Sequence, residues 1–445
     1  MNRLFQTIFA LSTVAGRSAV AVIRLSGPDS LAVLASLSGK SASFFQPRSM
    51  KLASISGQGG NLLDKAMLVH FPAPNSFTGE DCAEIHCHGS AASIKEILSD
   101  LSGRKYLRAA EPGEFTRRAF DNDKMDLTQV EGLGDLINAQ TQRQLEFSLR
   151  QVSGVASKKV SVWRAELVKI AAFVEAFIDF PDEDLPDDLW KQSAERLTSL
   201  KEEFLVQLAN VGKAKKIEEG VRIVLVGPPN AGKSSLLNAL AREDRAIVSD
   251  TAGTTRDTVS VTLELGGLPA KLTDTAGLRE SDDSIELLGV ERSLSEIDKS
   301  DLVLFLYDLT DMETSQRTFS DYELRESDKL WKIYNKGDLI EQTEQSQFVI
   351  SAKFQAGTNE LTSALEDWIG SAFGIDGHDQ FVAKERHISI MRESVELIDR
   401  SLSMEIPELF AENIRMLSRN LGRIVGQVDV EDLLDSIFGD FCIGK

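Results

Sequence analysis

VRIVLVGPPNAGKSSLLNALA, residues 221–241, decides how the middle of this chain folds. Val221 to Val226 is an apolar, β-branched run that reads as a buried strand, and Leu236 to Ala241 reads as the helix after it. Between them stands Gly227-Pro-Pro-Asn-Ala-Gly232-Lys233-Ser234, a loop with the spacing of a phosphate cradle. Its glycines let backbone N–H groups turn inward around phosphate oxygens at a helix N-terminus. Lys233 adds a cation and the Ser234 hydroxyl suits a magnesium ion. Asn230, Ala231, Gly232, Lys233, Ser234 and Ser235 are therefore the nucleotide-facing candidates, with Lys233 also a catalytic one.

Working outward, four more loops follow in order. Thr254 and Thr255 in AGTTRD lie where a switch loop would offer a hydroxyl to magnesium and a carbonyl near the outer phosphate, and Ser249, Asp250, Thr251, Ala252 and Gly253 before them are counted with the nucleotide-facing candidates. Asp274-Thr275-Ala276-Gly277 follows the apolar Leu272, as a strand-end carboxylate and flexible glycine should when they sense metal and terminal phosphate. Asn335-Lys336-Gly337-Asp338 comes after the strand-like Trp331 to Tyr334. Its aspartate can accept from guanine's ring N–H and amino group together, a pair adenine lacks. Ser351-Ala352-Lys353 ends the series with a backbone N–H suited to the guanine carbonyl. Five such loops resemble the GTPase superfamily, and an adenine nucleotide would leave Asp338 unpaired. Leu278 stands after the Asp274 tetrad, where many small GTPases carry a glutamine that orients the attacking water. A leucine cannot do that, so another group or a partner must.

The chain has 445 residues, which implies about three domains, and 42% apolar with 27% charged residues is the profile of a soluble globular protein. A net charge of -20 argues against coating nucleic acid by bulk electrostatics. Residues 1–124 are the exception, with 14 Lys and Arg against 11 Asp and Glu, a local +3 that leaves -23 elsewhere. Cys82, Cys87 and Cys442 are few and scattered, which suits reduced thiols in the cytoplasm. The apolar opening from Leu4 to Ala15 is broken by Gln6, Thr7, Ser12 and Thr13, so it reads as two short strands rather than an export signal. No run of 18 apolar residues exists, so no transmembrane helix and no membrane partner are expected.

Three textures organise the chain. Residues 1–120 read as an α+β front domain, with β-like Ser18 to Leu25 and Lys65 to Phe71. Residues 121–216 read as helical, with Trp163, Leu167, Ile170, Val174 and Phe177 at spacings of three and four. Residues 217–375 alternate strand and helix, the pattern of a mostly parallel sheet. Helical periodicity resumes in 376–445, over Ile388 to Leu402, Leu409 to Val425 and Val430 to Phe438. Each helical block has an apolar stripe in need of a partner, so one helical domain interrupted by the nucleotide module is expected.

The flanks carry FPAPNSFTGED (71–81), CAEIHCHG (82–89), EPGEFT (111–116) with RRAF after it, KMDL (124–127) and FCIGK (441–445). On a strand Cys82, Glu84, His86 and His88 would share a face, but ligands so close on one strand rarely close a metal's tetrahedron. Taken with GPPNAGKSSLLN, AGTTRD and DTAGLR, these segments resemble the MnmE (TrmE) family of tRNA-modification GTPases, nearly end to end.

That resemblance implies a multidomain α/β and α chain: a folate-binding, dimer-forming front domain and a helical domain with a Ras-like P-loop GTPase domain inserted in it. It implies a homodimer working with the FAD-dependent partner MnmG (GidA), adding an aminomethyl or carboxymethylaminomethyl group to carbon 5 of the wobble uridine of certain tRNAs. A formyl-tetrahydrofolate or related one-carbon folate would be held by Arg24, Glu84, Lys124 and Lys445. GTP would be served by magnesium on Ser234 and Thr255 and by potassium on Asn230, Ser249, Thr251 and Thr254, with Glu286 aligning water in place of the absent glutamine. The chain departs from the family at Thr13-Val-Ala-Gly-Arg-Ser-Ala19, where a proline and glycine-rich segment is usual, and at Pro228, where a basic residue is common. A ribosome-assembly GTPase is the rival reading. It would carry an RNA-binding module, which is not apparent, and would not need a folate pocket. A scaffold with a vestigial nucleotide site is opposed by the intact Lys233, Ser234, Thr255 and Asp274.

Overall fold

Strand β5 (Cys82–Gly89) shows how the front of the molecule is made. Ala83, Ile85 and Cys87 are buried while Glu84, His86 and His88 point the other way, the period-two signature of a sheet with one covered face. The computed structural model describes residues 6–179, 188–242, 247, 260–274, 294–322, 324, 329–340, 348–374, 380–404, 406–428, 434, 437–439, 441 and 444. They fall into two units, one of residues 1–134, 151–193 and 403–445, the other of 135–150 and 194–402.

In the first unit β5 joins β1 (Thr7–Leu11), β2 (Ser18–Ser26), β3 (Lys51–Ser56), β4 (Leu62–Phe71) and β6 (Leu107–Ala109) in the order β3-β4-β5-β2-β1-β6. All neighbours are antiparallel except β1 with β6. Ile23, Leu25 and Ile85 pack with Leu34 and Ile97 of the helices Ser30–Ser38 and Ala91–Ser102. Each such side chain stabilises the unit by about 1.5–3 kcal/mol through burial alone. The expected strand at Lys65 to Phe71 starts earlier, at Leu62, because its antiparallel pairing with β3 continues to Leu62 opposite Ser56.

The same unit contains the helices Val155–Asp179 and Pro407–Val425, which pack on each other. Trp163, Leu167, Ile170 and Val174 are buried on the first, and Ile414, Leu417, Leu421 and Ile424 on the second. Arg415 bridges to Glu175 at 3.3 Å, and Arg164 bonds Gln427. Helical stripes from before and after the nucleotide module thus do cover one another. The second helix starts at Pro407 rather than Leu409, since proline is tolerated in a first turn, where its missing N–H costs no intrahelical hydrogen bond. Of Val430 to Phe438 only Leu434 and 437–438 are described, and these are helical. The Gly444 carbonyl accepts from Ser12 Oγ at 3.0 Å, which ties the far end of the sequence to the segment after β1.

In the second unit β7 (Val221–Val226), β8 (Ser260–Leu265), β9 (Leu268–Asp274), β10 (Leu302–Asp308), β11 (Leu330–Asn335) and β12 (Phe348–Val349) form a sheet of order β12-β11-β10-β7-β9-β8. All pairs are parallel but β8 with β9. Every residue of β10 is buried, because both faces are covered. Leu304 and Leu306 face a cluster with Ile223 and Leu361, and Phe305 and Tyr307 face one with Val224 and Val226. The chain enters this sheet from the helix Val211–Glu219 and leaves it ahead of the helix Glu385–Leu402. At that joint Lys384 pairs with Asp135 at 2.9 Å and with Glu218. Burial alone would lower the Lys384 ammonium's pKa, but the two carboxylates outweigh it and hold the group charged well above the usual lysine range.

Candidate functional site

The loop after β7 is shaped by backbone that only particular residues allow. Gly227, Asn230 and Gly232 have φ of 150°, 62° and 95°. A Cβ on Gly232 would lie 2.2 Å from Asn335 Nδ2, and one on Gly227 would lie 2.5 Å from the Leu306 carbonyl oxygen, so neither position accepts a side chain. The helix Lys233–Arg242 begins three residues earlier than the apolar pattern indicated, directly at the cradle, which puts its first-turn amides there. Lys233 is 5% exposed, and its ammonium donates to the Gly227 and Pro228 carbonyls at 2.7 and 2.8 Å.

Ser234 Oγ donates to Asp274 Oδ2 at 2.7 Å, and Asp274 is fully buried at the end of β9. This brings a hydroxyl and a carboxylate together beside the cradle. Both are hard oxygen donors of the kind magnesium prefers, so the residues fit the ion.

Asn335 ends β11 and holds three loops at once. Its amide donates to the Ala231 carbonyl at 2.7 Å, and its carbonyl oxygen accepts from the Ala352 N–H at 3.0 Å. Lys336 follows with left-handed φ of 66°, and Asp338 stands exposed in the turn Gly337–Leu339. Ser351 is buried and pairs through its backbone with Ala356, while Lys353 lies over the Phe354 ring at 5.1 Å. The structure thus brings together Asn230 to Ser235, Asp274, Asn335 to Asp338 and Ser351 to Lys353, all off the C-terminal ends of parallel strands. Ser249 to Thr255, Thr275 to Gly277, Leu278, Glu286, Cys442 and Lys445 lie outside the described residues.

The front sheet carries a second cluster on its other face. Register sets Arg24 of β2 opposite Glu84 of β5, and Arg24 Nε and Nη2 donate to Glu84 Oε1 at 3.2 and 3.0 Å. His86 Nε2 meets the other Glu84 oxygen at 3.0 Å. That hydrogen bond and the Arg24 charge outweigh burial and hold Glu84 below the usual glutamate range. The Arg24 guanidinium also lies over the rings of Phe77 and Phe115, 5.2 and 5.9 Å from their centres. Lys124 is exposed, and its stem runs past Gly79 of the 72–81 loop, where a Cβ would sit 3.1 Å from Lys124 Cε. A carboxylate, cations and aromatic faces suit a flat heterocycle with an anionic tail. Cys82 and His88 are spent elsewhere, the one near Thr78 and the other on Asp64. Among the described residues no group of three or more His, Cys, Asp or Glu could hold a metal.

Sequence reasoning missed Phe77, Phe115 and Arg118. Arg118 is 5% exposed and bonds Glu80, Glu114 and the Gln6 and Ser26 carbonyls, locking the 72–81 loop to the sheet. The signal was a pair of adjacent arginines in RRAF, and only a fold could say which one turns inward.

Residues 7–124 match the family model described as GTP-binding protein TrmE N-terminus, and residues 127–442 match the one described as MnmE helical domain. The tRNA modification GTPase MnmE of Brucella anthropi is 44% identical over 446 residues, covering 99% of each chain. The chain belongs to the MnmE family. The protein of the same name from Parvibaculum lavamentivorans is 43% identical over 445 residues, covering 99% of this chain and all 100% of that one. The G domain of the T. maritima FeoB iron transporter aligns over 33% of this chain and 98% of its own, with 22% identity and a TM-score of 0.27. The MnmE helical-domain match runs straight across β7 to β12, as a domain interrupted by another one should. Among the described residues no helix is long and apolar enough to cross a membrane.

Proposed function

We propose that this MnmE-family protein hydrolyses GTP in the service of tRNA wobble-uridine modification, as a cytoplasmic homodimer acting with an FAD-dependent partner of the MnmG (GidA) kind. The observation that carries the reading is the Asn335 side chain, which ties the phosphate cradle to the guanine loops in a single arrangement. The names of the relatives support the tRNA half.

In this reading Lys233 and the first-turn amides of its helix offset charge on the outer phosphates. Ser234 and Thr255 would hold magnesium, with Asp274 steadying the Ser234 hydroxyl. When bound, that ion neutralises phosphate charge. Asp338 reads the guanine edge. Leu278 cannot orient water, so Glu286 takes that role, and Asn230 with Ser249, Thr251 and Thr254 would hold potassium. Dimerised G domains would then be the hydrolysing species. On the front sheet Arg24, Glu84, Lys124 and Lys445 would bind a formyl-tetrahydrofolate or a related one-carbon folate.

Turnover of GTP in potassium and in sodium at matched ionic strength tests the hydrolytic half. Much faster turnover in potassium is expected, and Glu286→Ala should lose most turnover while keeping GTP affinity, because it removes an interaction made chiefly in the transition state. Equal rates in the two salts, or full activity without Glu286, would overturn it. The tRNA half is tested by wobble-uridine analysis of tRNA from cells lacking the protein, where unaltered modification would refute it.

A further inference from the structure

Asp308 closes β10 and has so far had no part in the nucleotide site. It is 5% exposed, and both its oxygens are committed. Oδ1 accepts from the Thr310 N–H at 2.9 Å and from Thr310 Oγ1 at 2.6 Å, while Oδ2 accepts from the Lys336 ammonium at 2.5 Å. Its own N–H donates to Ser315 Oγ at 3.0 Å. Burial would push the carboxyl up, but the bonds from Lys336 and Thr310 prevail and hold it below the ordinary aspartate value, so it is a carboxylate at neutral pH.

Register places Asp308 opposite Asn335, at the point where the guanine loop leaves its strand. The loop is tied on either side of Asp338. The Gly337 N–H donates to the Ile350 carbonyl at 3.0 Å and the Leu339 N–H to the Lys336 carbonyl at 3.1 Å. Lys336 itself carries a left-handed backbone that a residue with a side chain seldom adopts, and its long, rotamer-rich side chain would otherwise sweep a wide volume. Its ammonium goes instead to one buried carboxylate.

We propose that Asp308 is a positioning residue for base recognition: by pinning the Lys336 ammonium it holds the lysine stem and the turn bearing Asp338 in one preformed arrangement that the guanine meets. The proposal rests on the reading of Asp338 as the guanine-selecting residue. Asp308 touches neither phosphate nor base in this scheme, so its loss should weaken binding equally in ground and transition states.

The test is titration calorimetry of GDP with the full-length protein, its Asp308→Asn and Lys336→Met variants and the double variant, beside GTP turnover. Asp308→Asn should weaken GDP by about 10- to 100-fold, the worth of one charged hydrogen bond, and raise KM while leaving kcat unchanged. The double variant should bind no worse than Lys336→Met alone, because Asp308 acts through that lysine. Lys336→Met, at a partly exposed residue, reports on the pair even if Asp308→Asn folds poorly. Unchanged affinity in either single variant, or losses that add in the double, overturns the proposal. Asp338→Asn with xanthosine diphosphate is run alongside. A shift to xanthine there, with GDP affinity intact in Asp308→Asn, refutes the role of Asp308 alone. No shift refutes the guanine reading and the proposal with it.

Discussion

The two sheets of this protein solve opposite problems. The front sheet is mostly antiparallel, and its polar cluster stands on a sheet face, where Arg24, Glu84 and His86 are brought side by side by register. The nucleotide sheet is mostly parallel and its central strand β10 is buried on both faces, so its reactive groups gather at the strand ends. Its chemistry is displaced to the loops off the strand ends, and Asn335 must bind those loops together. A site on a sheet face inherits its precision from strand pairing, whereas a site at strand ends needs its own ties.

Core truncations should break the comparison most visibly. Leu304→Ala in β10 and Ile85→Ala in β5 each remove a fully buried side chain and should each cost about 2–5 kcal/mol in urea unfolding. Only the Leu304 loss should be recovered by guanine nucleotide, by about 2.7 kcal/mol at a hundredfold excess over Kd. Recovery of both by GDP would mean that the units do not unfold separately.

Lys233→Ala should reduce GTP turnover by about 10²–10³, as removal of one preorganised charge donor does elsewhere, measured by phosphate release. A fall of only a few-fold would place the main offset of phosphate charge elsewhere in the loops.

The front cluster is expected to respond more gently. Arg24→Ala or Glu84→Ala should weaken formyl-tetrahydrofolate by about 1–3 kcal/mol each in calorimetry. No binding heat with the unaltered protein would remove the folate reading.

Least in size is the response to acid. Among the described carboxylates of the front unit, Asp64, Glu84 and Glu114 are held below their ordinary values. The His86 bond does most for Glu84, while bonds from His88 and Arg108 outweigh the opposing burial for Asp64 and Glu114. A depressed folded-state pKa stabilises above the unfolded value and loses that contribution as pH falls through the folded one. The urea midpoint of the front unit should therefore start to fall near pH 4.5, the ordinary glutamate value, and continue falling below 3.8, that of aspartate. The expected loss is roughly 1 kcal/mol per carboxylate. A flat midpoint down to about pH 3 would show that these pairs contribute nothing net.

What could be read from the sequence follows the same division. Sites built from loops are written in consecutive residues, so the cradle at 227–234 and the turn at 335–338 were legible as structure, and the roles proposed for Lys233, Ser234 and Asp338 were read from the same residues. The period-two and period-three-to-four patterns likewise gave β2 and the helices that bury Trp163 and Leu417. The front cluster was not legible that way. Arg24 and Glu84 are 60 residues apart, and nothing local says that β2 pairs with β5 in the register that opposes them. Only resemblance joined the two. Arg118, Phe77 and Asp308 escaped for the same reason, since each gains its meaning from a partner distant in sequence.

The bond between Ser12 and Gly444 spans 432 residues. During synthesis at about 5–20 residues per second, the first strand leaves the ribosome roughly 20 to 90 s before its last partner is made. We predict that the front sheet persists through that interval on its own hydrophobic layer of Ile23, Leu25 and Ile85 under two helices. The contact with Gly444 would then be a late seal, and a nascent chain arrested before residue 434 is expected to resist protease over residues 7–124 without it.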